Sequence, residues 1–86
     1  MDINELIAIV KKKLQKEINF EDINIEDKTF LHKNHASNQD GKFHLKITLK
    51  SVDLKKISRI ESNKKIYKLL DKELREFIHS IQILII

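Results

Sequence analysis

The strongest constraint on the fold is the final run, Ile78-His79-Ser80-Ile81-Gln82-Ile83-Leu84-Ile85-Ile86. Six of its nine residues are isoleucine or leucine, which predicts a buried strand. Alternate side chains of a strand share a face, so His79 is expected on the face of Ile81, Ile83 and Ile85. That places a titratable ring at the entrance of an apolar strand. Two readings are open for it. One is a structural histidine bonded to a backbone carbonyl. The other is a metal ligand, a frequent role for imidazole.

A second strand is legible upstream. Phe43, Leu45, Ile47 and Leu49 alternate with His44, Lys46, Thr48 and Lys50, the clearest period-2 pattern in the chain. One face is predicted to be core and the other wet and basic, with His44 a surface residue. Ile23 and Ile25 alternate with Asp22, Asn24 and Glu26, which predicts a short half-buried strand.

The helices follow from 3.6-residue periodicity. Ile3, Leu6, Ile7, Val10, Leu14 and Ile18 form one stripe, opened by Asp2 as cap with Glu5 three residues on. Lys11, Lys12, Lys13 and Lys16 gather late in that helix and read as a solvated basic face near the negative end of its dipole. Leu54, Ile57 and Ile60 mark a short helical segment. Ser62 is expected to cap a longer helix whose stripe is Ile66, Leu69, Leu70, Leu74 and Phe77. The predicted order is helix-strand-strand-helix-helix-strand. Its simplest solution is an α+β two-layer sandwich, a three-stranded sheet with the helices on one face.

Length and composition narrow the function. A chain of 86 residues is expected to form a single domain over 1–86 with one core and no deep cleft. It has no cysteine, so it builds neither a disulfide nor a thiolate metal site alone. Its only glycine is Gly41, which excludes glycine-rich phosphate loops. The acidic start lacks an apolar export segment, and the apolar tail is shorter than the roughly 20 residues that span a bilayer. A cytoplasmic protein without a membrane partner is the expectation. The formal net charge of +4 favours anionic partners.

Between Lys28 and Gly41 lies a long polar stretch with His32 and His35, expected to be a loop. Zinc wants four ligands, and two histidines without thiolates do not make a self-contained site. The serines lie in no nucleophile-elbow pattern, and Glu21, Asp22, Glu26 and Asp27 show no sign of desolvation. The sequence is not read as an enzyme.

Four segments carry a family resemblance. Asp27-Lys28-Thr29-Phe30-Leu31-His32 resembles an Asp-x-Ser-x-x-His motif, and His32-Lys33-Asn34-His35-Ala36-Ser37 a degenerate His-x-Gly-His-x-Gly. Lys42-Phe43-His44-Leu45-Lys46-Ile47 is similar to a Thr-His-Phe-x-Val strand, and Ile78-His79-Ser80-Ile81-Gln82-Ile83 to a terminal Val/Ile-His-Ala-Leu-x-Ile. In this order and spacing they resemble the BolA family, across nearly the whole chain. Two departures stand out: Leu54-Lys55-Lys56 replaces the family's Phe-x-Gly, and Ser62-Asn63-Lys64 its Arg-His-Arg.

The resemblance implies a fold like the type II KH domain and a partnership with a monothiol glutaredoxin. Such pairs share a two-iron two-sulfur cluster, with glutathione and the glutaredoxin cysteine supplying thiolates. By position the ligands from this chain are His79 and His32, with His35 as alternative to His32. The free chain is then a monomer without cofactor, and the pair acts in iron-sulfur cluster trafficking or iron homeostasis. The alternative is a DNA-binding transcriptional regulator using Lys55, Lys56, Arg59, Lys64, Lys65 and Lys68 against phosphates. An adaptor that binds glutaredoxin without metal is a third reading.

Overall fold

The structure is a computed structural model, and it describes residues 1–29 and 42–86. Helix α1 spans Ile3–Glu17 and opens as expected: Glu5 N–H donates to the Asp2 carboxylate at 2.8 Å. Its stripe packs inward, with Leu6, Val10 and Leu14 fully buried. Strand β1 (Asp22–Asp27) pairs antiparallel with β2 (Phe43–Lys50), and β2 pairs parallel with β3 (Ile78–Ile85). The sheet order is therefore β1-β2-β3, with β2 in the centre.

A parallel pair cannot be joined by a hairpin, so the chain must cross over between β2 and β3. Three helices make that crossing: α2 (Val52–Lys55), α3 (Arg59–Leu69) and α4 (Asp71–Glu76). Together with α1 they cover the face of the sheet that carries Leu45, Ile47, Leu49, Ile81, Ile83 and Ile85, and one apolar cluster fills the space between. The expected α+β architecture with a three-stranded sheet is what forms.

The helical region differs from expectation in three ways. The long helix begins at a cap of Ser58, not Ser62: Glu61 N–H donates to Ser58 Oγ at 3.1 Å, and that hydroxyl meets Glu61 Oε1 at 3.2 Å. Ser58-Arg59-Ile60-Glu61 is a Ser-x-x-Glu capping pattern that the sequence carries openly. Ser62 lies on the buried face of α3 and donates back to Arg59 O at 3.0 Å. Next, the long helix is two. At Leu70 the backbone leaves helical geometry, with ψ of 17°, while its side chain stays fully buried. Last, Ile57 and Ile60 are not core; Ile60 is 68% exposed and Ile57 38%.

Lys13 also departs from the expected solvated face. It reaches both carboxylate oxygens of Glu73 at 2.8 Å, and that carboxylate is 4% exposed. The pair ties α1 to α4 across 60 residues of chain. A buried carboxylate without its cation is costly, whereas removing both charges is much less so. Since Lys13 keeps about a third of its surface, Lys13→Met is expected to cost about 2 kcal/mol by urea denaturation. Lys13→Met with Glu73→Leu should recover most of that loss. An unchanged midpoint in the single variant would mean that solvent already screens the pair.

Candidate functional site: a histidine pair at the sheet end

The alternation of β3 is broken once, and the break decides where its histidine goes. Phe43 pairs with Ile78, but His44 pairs with Ser80, so His79 is the extra residue of a bulge. The bulge lets Ile78 and Ile81 both turn to the core although they are three apart. His79 and Ser80 are left outside, and both are exposed. His79 therefore does not share the face of Ile81, Ile83 and Ile85, contrary to strict alternation. It does not lie against the apolar core.

What backs the His79 ring is another histidine. The rings of His44 and His79 lie 4.9 Å apart in an edge-to-face arrangement, 61° between planes. His44 sits on the outer face of β2, as its place in the pattern predicts, yet it is 4% exposed rather than a surface residue. Its Nδ1 lies 2.6 Å from Ser80 Oγ. A hollow of about 250 Å³ opens beside it, walled by Lys28, Lys46, Ser80 and Gln82.

The end of β1 holds this corner from the other side. Thr29 N–H donates to the Asp27 carboxylate at 3.0 Å in an Asx-type turn, and the Thr29 hydroxyl donates to the same oxygen. That hydroxyl also accepts from His44 N–H at 3.2 Å, while Lys28 N–H bonds His44 O at 2.7 Å. Asp27-Lys28-Thr29 thus acts as a clamp on the backbone of His44. Nothing in residue spacing linked Thr29, His44 and Ser80, because they meet only through strand pairing.

His79 supplies one accessible imidazole for a metal or cluster. His44 is buried behind it with one nitrogen already engaged. Among the described residues no group of three or more His, Cys, Asp or Glu could hold a metal ion. His32 and His35 lie outside the described residues. The described part of the site thus fits a shared cluster as a single open donor that needs a second ligand from this chain and thiolates from elsewhere.

The six basic residues are all exposed. Lys55 and Arg59 line a common groove beside β3. Lys64 and Lys68, four apart, point away from the buried face of α3, and Lys65 is the neighbour of Lys68 three positions back on the helix. Lys56 lies 4.0 Å from the Asp53 carboxylate. Among the described residues no helix is long and apolar enough to cross a membrane.

Comparison with known proteins agrees with this architecture. The family model described as "BolA-like protein" matches residues 14–86. A DNA-binding transcriptional regulator BolA from Haemophilus influenzae is 34% identical over 73 residues, covering 85% of this chain and 68% of the relative. Among solved structures, BolA1 from Arabidopsis thaliana superposes with a TM-score of 0.75 at 26% identity, over 91% of this chain and 86% of that one. The BolA domain of SufE1 from the same plant has a TM-score of 0.76 at 24% identity, with the same coverage. With the family match spanning most of the chain and a relative 34% identical over 73 residues, this protein belongs to the BolA family.

Proposed function

We propose that this BolA-family chain pairs with a monothiol glutaredoxin and co-ligates a two-iron two-sulfur cluster in iron-sulfur trafficking or iron homeostasis. His79 is the first ligand from this chain, and His32 or His35 the second. The observation that carries the reading is the exposed His79 ring, turned out of the core by the bulge and braced by the ring of His44. A metal-binding imidazole needs one ring nitrogen open to the metal, and a solvent-facing ring meets that need. The His44 contact limits its orientations, so less ordering entropy is lost on ligation. When bound, a cluster ligated by imidazole in place of thiolate carries less negative charge and a higher potential.

The absence of cysteine agrees with this division of labour: the partner and glutathione bring the sulfur, and this chain the nitrogen. His79→Ala is therefore expected to abolish the histidine-ligated cluster of the reconstituted complex. His32→Ala and His35→Ala should leave a weakened or altered one. Metal-free association with glutaredoxin should survive in all three. Visible absorption and circular dichroism of each reconstituted complex read the outcome; a wild-type spectrum and lifetime in His79→Ala would make His79 a bystander. Ser80→Ala should cost about 1 kcal/mol of fold stability and loosen the His44 brace, measured by denaturation and by the ring proton shifts of both histidines.

DNA binding is the second reading. It is favoured by the name of the Haemophilus influenzae relative and by the exposed lysines of α2 and α3. Dispersed lysines contact phosphates without reading bases. Binding is then weak, insensitive to sequence and dependent on counterion release. A titration of duplex DNA at rising salt should lose affinity steeply, and selective binding that persists in high salt would contradict it.

A further inference from the structure

The outer edge of β3 is open at its second half. Ile86 N–H donates to Leu49 O at 2.8 Å, and Ser51 N–H donates to Ile86 O at 3.3 Å, so even-numbered residues of β3 address β2. By alternation the N–H and C=O of Ile81, Ile83 and Ile85 point the other way. No strand covers them among the described residues. At Ile81 the Tyr67 hydroxyl donates to the carbonyl at 3.4 Å, and nothing comparable occurs at Ile83 or Ile85 among the described residues. Edges are usually blunted by charge or proline, yet from Ile78 to Ile86 there is no lysine, arginine, acidic residue or proline.

A groove of about 310 Å³ runs beside this edge, between β3 and the turn from α2 to α3. Leu54, Ile57, Ile83 and Ile85 make it apolar, and Lys55 and Arg59 make it positive. Neither cation is ion-paired among the described residues. Asn63 stands in its wall, and the buried Oδ1 of that side chain has no hydrogen-bond partner. A buried acceptor left unpaired costs free energy that a donor from a ligand would restore.

We propose that this edge and groove bind an extended acidic segment of a partner protein by strand addition. The segment's backbone pairs with Ile83 and Ile85, its alternate apolar side chains enter the groove, and its carboxylates meet Lys55 and Arg59. Outward N–H and C=O groups at strand spacing are matched by another peptide backbone. They are not matched by a nucleic acid. The turn between α2 and α3 is Lys56-Ile57-Ser58, without the Gly-x-x-Gly that clamps a nucleotide backbone, and among the described residues no aromatic ring lines the groove for stacking. A second copy fits less well, because its β3 has no acidic residue and each chain carries a formal charge of +4. The proposal does not rest on the cluster reading, since His79 lies at the other end of the strand.

The test is an NMR titration of the whole chain with a short blocked peptide alternating valine and glutamate. Saturable shifts and slowed amide exchange at Ile83 and Ile85 are expected. N-methylation of the pairing amides should weaken binding by about tenfold or more, and a valine-lysine peptide should not bind. Lys55→Glu with Arg59→Glu, both exposed, should reverse the preference between the two peptides while the circular dichroism of the fold stays unchanged. The proposal is overturned if the N-methylated peptide binds as well as its parent. It is also overturned if oligothymidine, and not the peptide, shifts these amides, or if they become protected with protein concentration alone, which would mean a second copy.

Discussion

The parallel pairing of β2 with β3 is the constraint on which the rest depends. It forces a crossover, and the crossover supplies the three helices that close the core. It also has to reconcile two apolar patterns that are out of step at one point. Phe43 and Leu45 are two apart, whereas Ile78 and Ile81 are three apart, and all four turn to the helices. One bulged residue absorbs the difference, and that residue is His79. The same mismatch that packs the core thus puts an imidazole in solvent.

Around that residue the protein builds stiffness from short-range polar contacts. Asp27 and Thr29 hold the backbone of His44, Ser80 holds its ring, and its ring stands against His79. Each contact is worth on the order of 1 kcal/mol. Their joint effect is positional, because three strands contribute and none can shift alone.

The basic surface has a different logic. Lys55 and Arg59 line the groove beside Ile83 and Ile85, at the far end of β3 from His79. From His79 to Leu84 the strand advances roughly 17 Å at about 3.3 Å per residue. Two surfaces so far apart can be occupied at once. Apolar side chains collect at the basic end, where Ile57 and Leu84 are 38% and 44% exposed.

Much of the fold was legible in the residues themselves. Period-2 alternation marked β1 and β2, period 3.6 marked α1, and Asp2 with Glu5 marked its start, because these signals are local and repeat. The same patterns gave the element order and singled out His79, and the family resemblance added the roles expected of the histidines. What local patterns could not supply came from distant pairing. The bulge that reverses His79 exists only because β3 must match β2 in register, and the burial of His44 depends on Ser80, 36 residues away. Likewise Lys13 looks solvated until α4 brings Glu73 to it. Ser58 is the exception, a cap written in the sequence but eclipsed by Ser62, which carries the same chemistry four residues later. Periodicity therefore determined the elements, while strand register and the crossover decided which polar side chains meet and which face solvent.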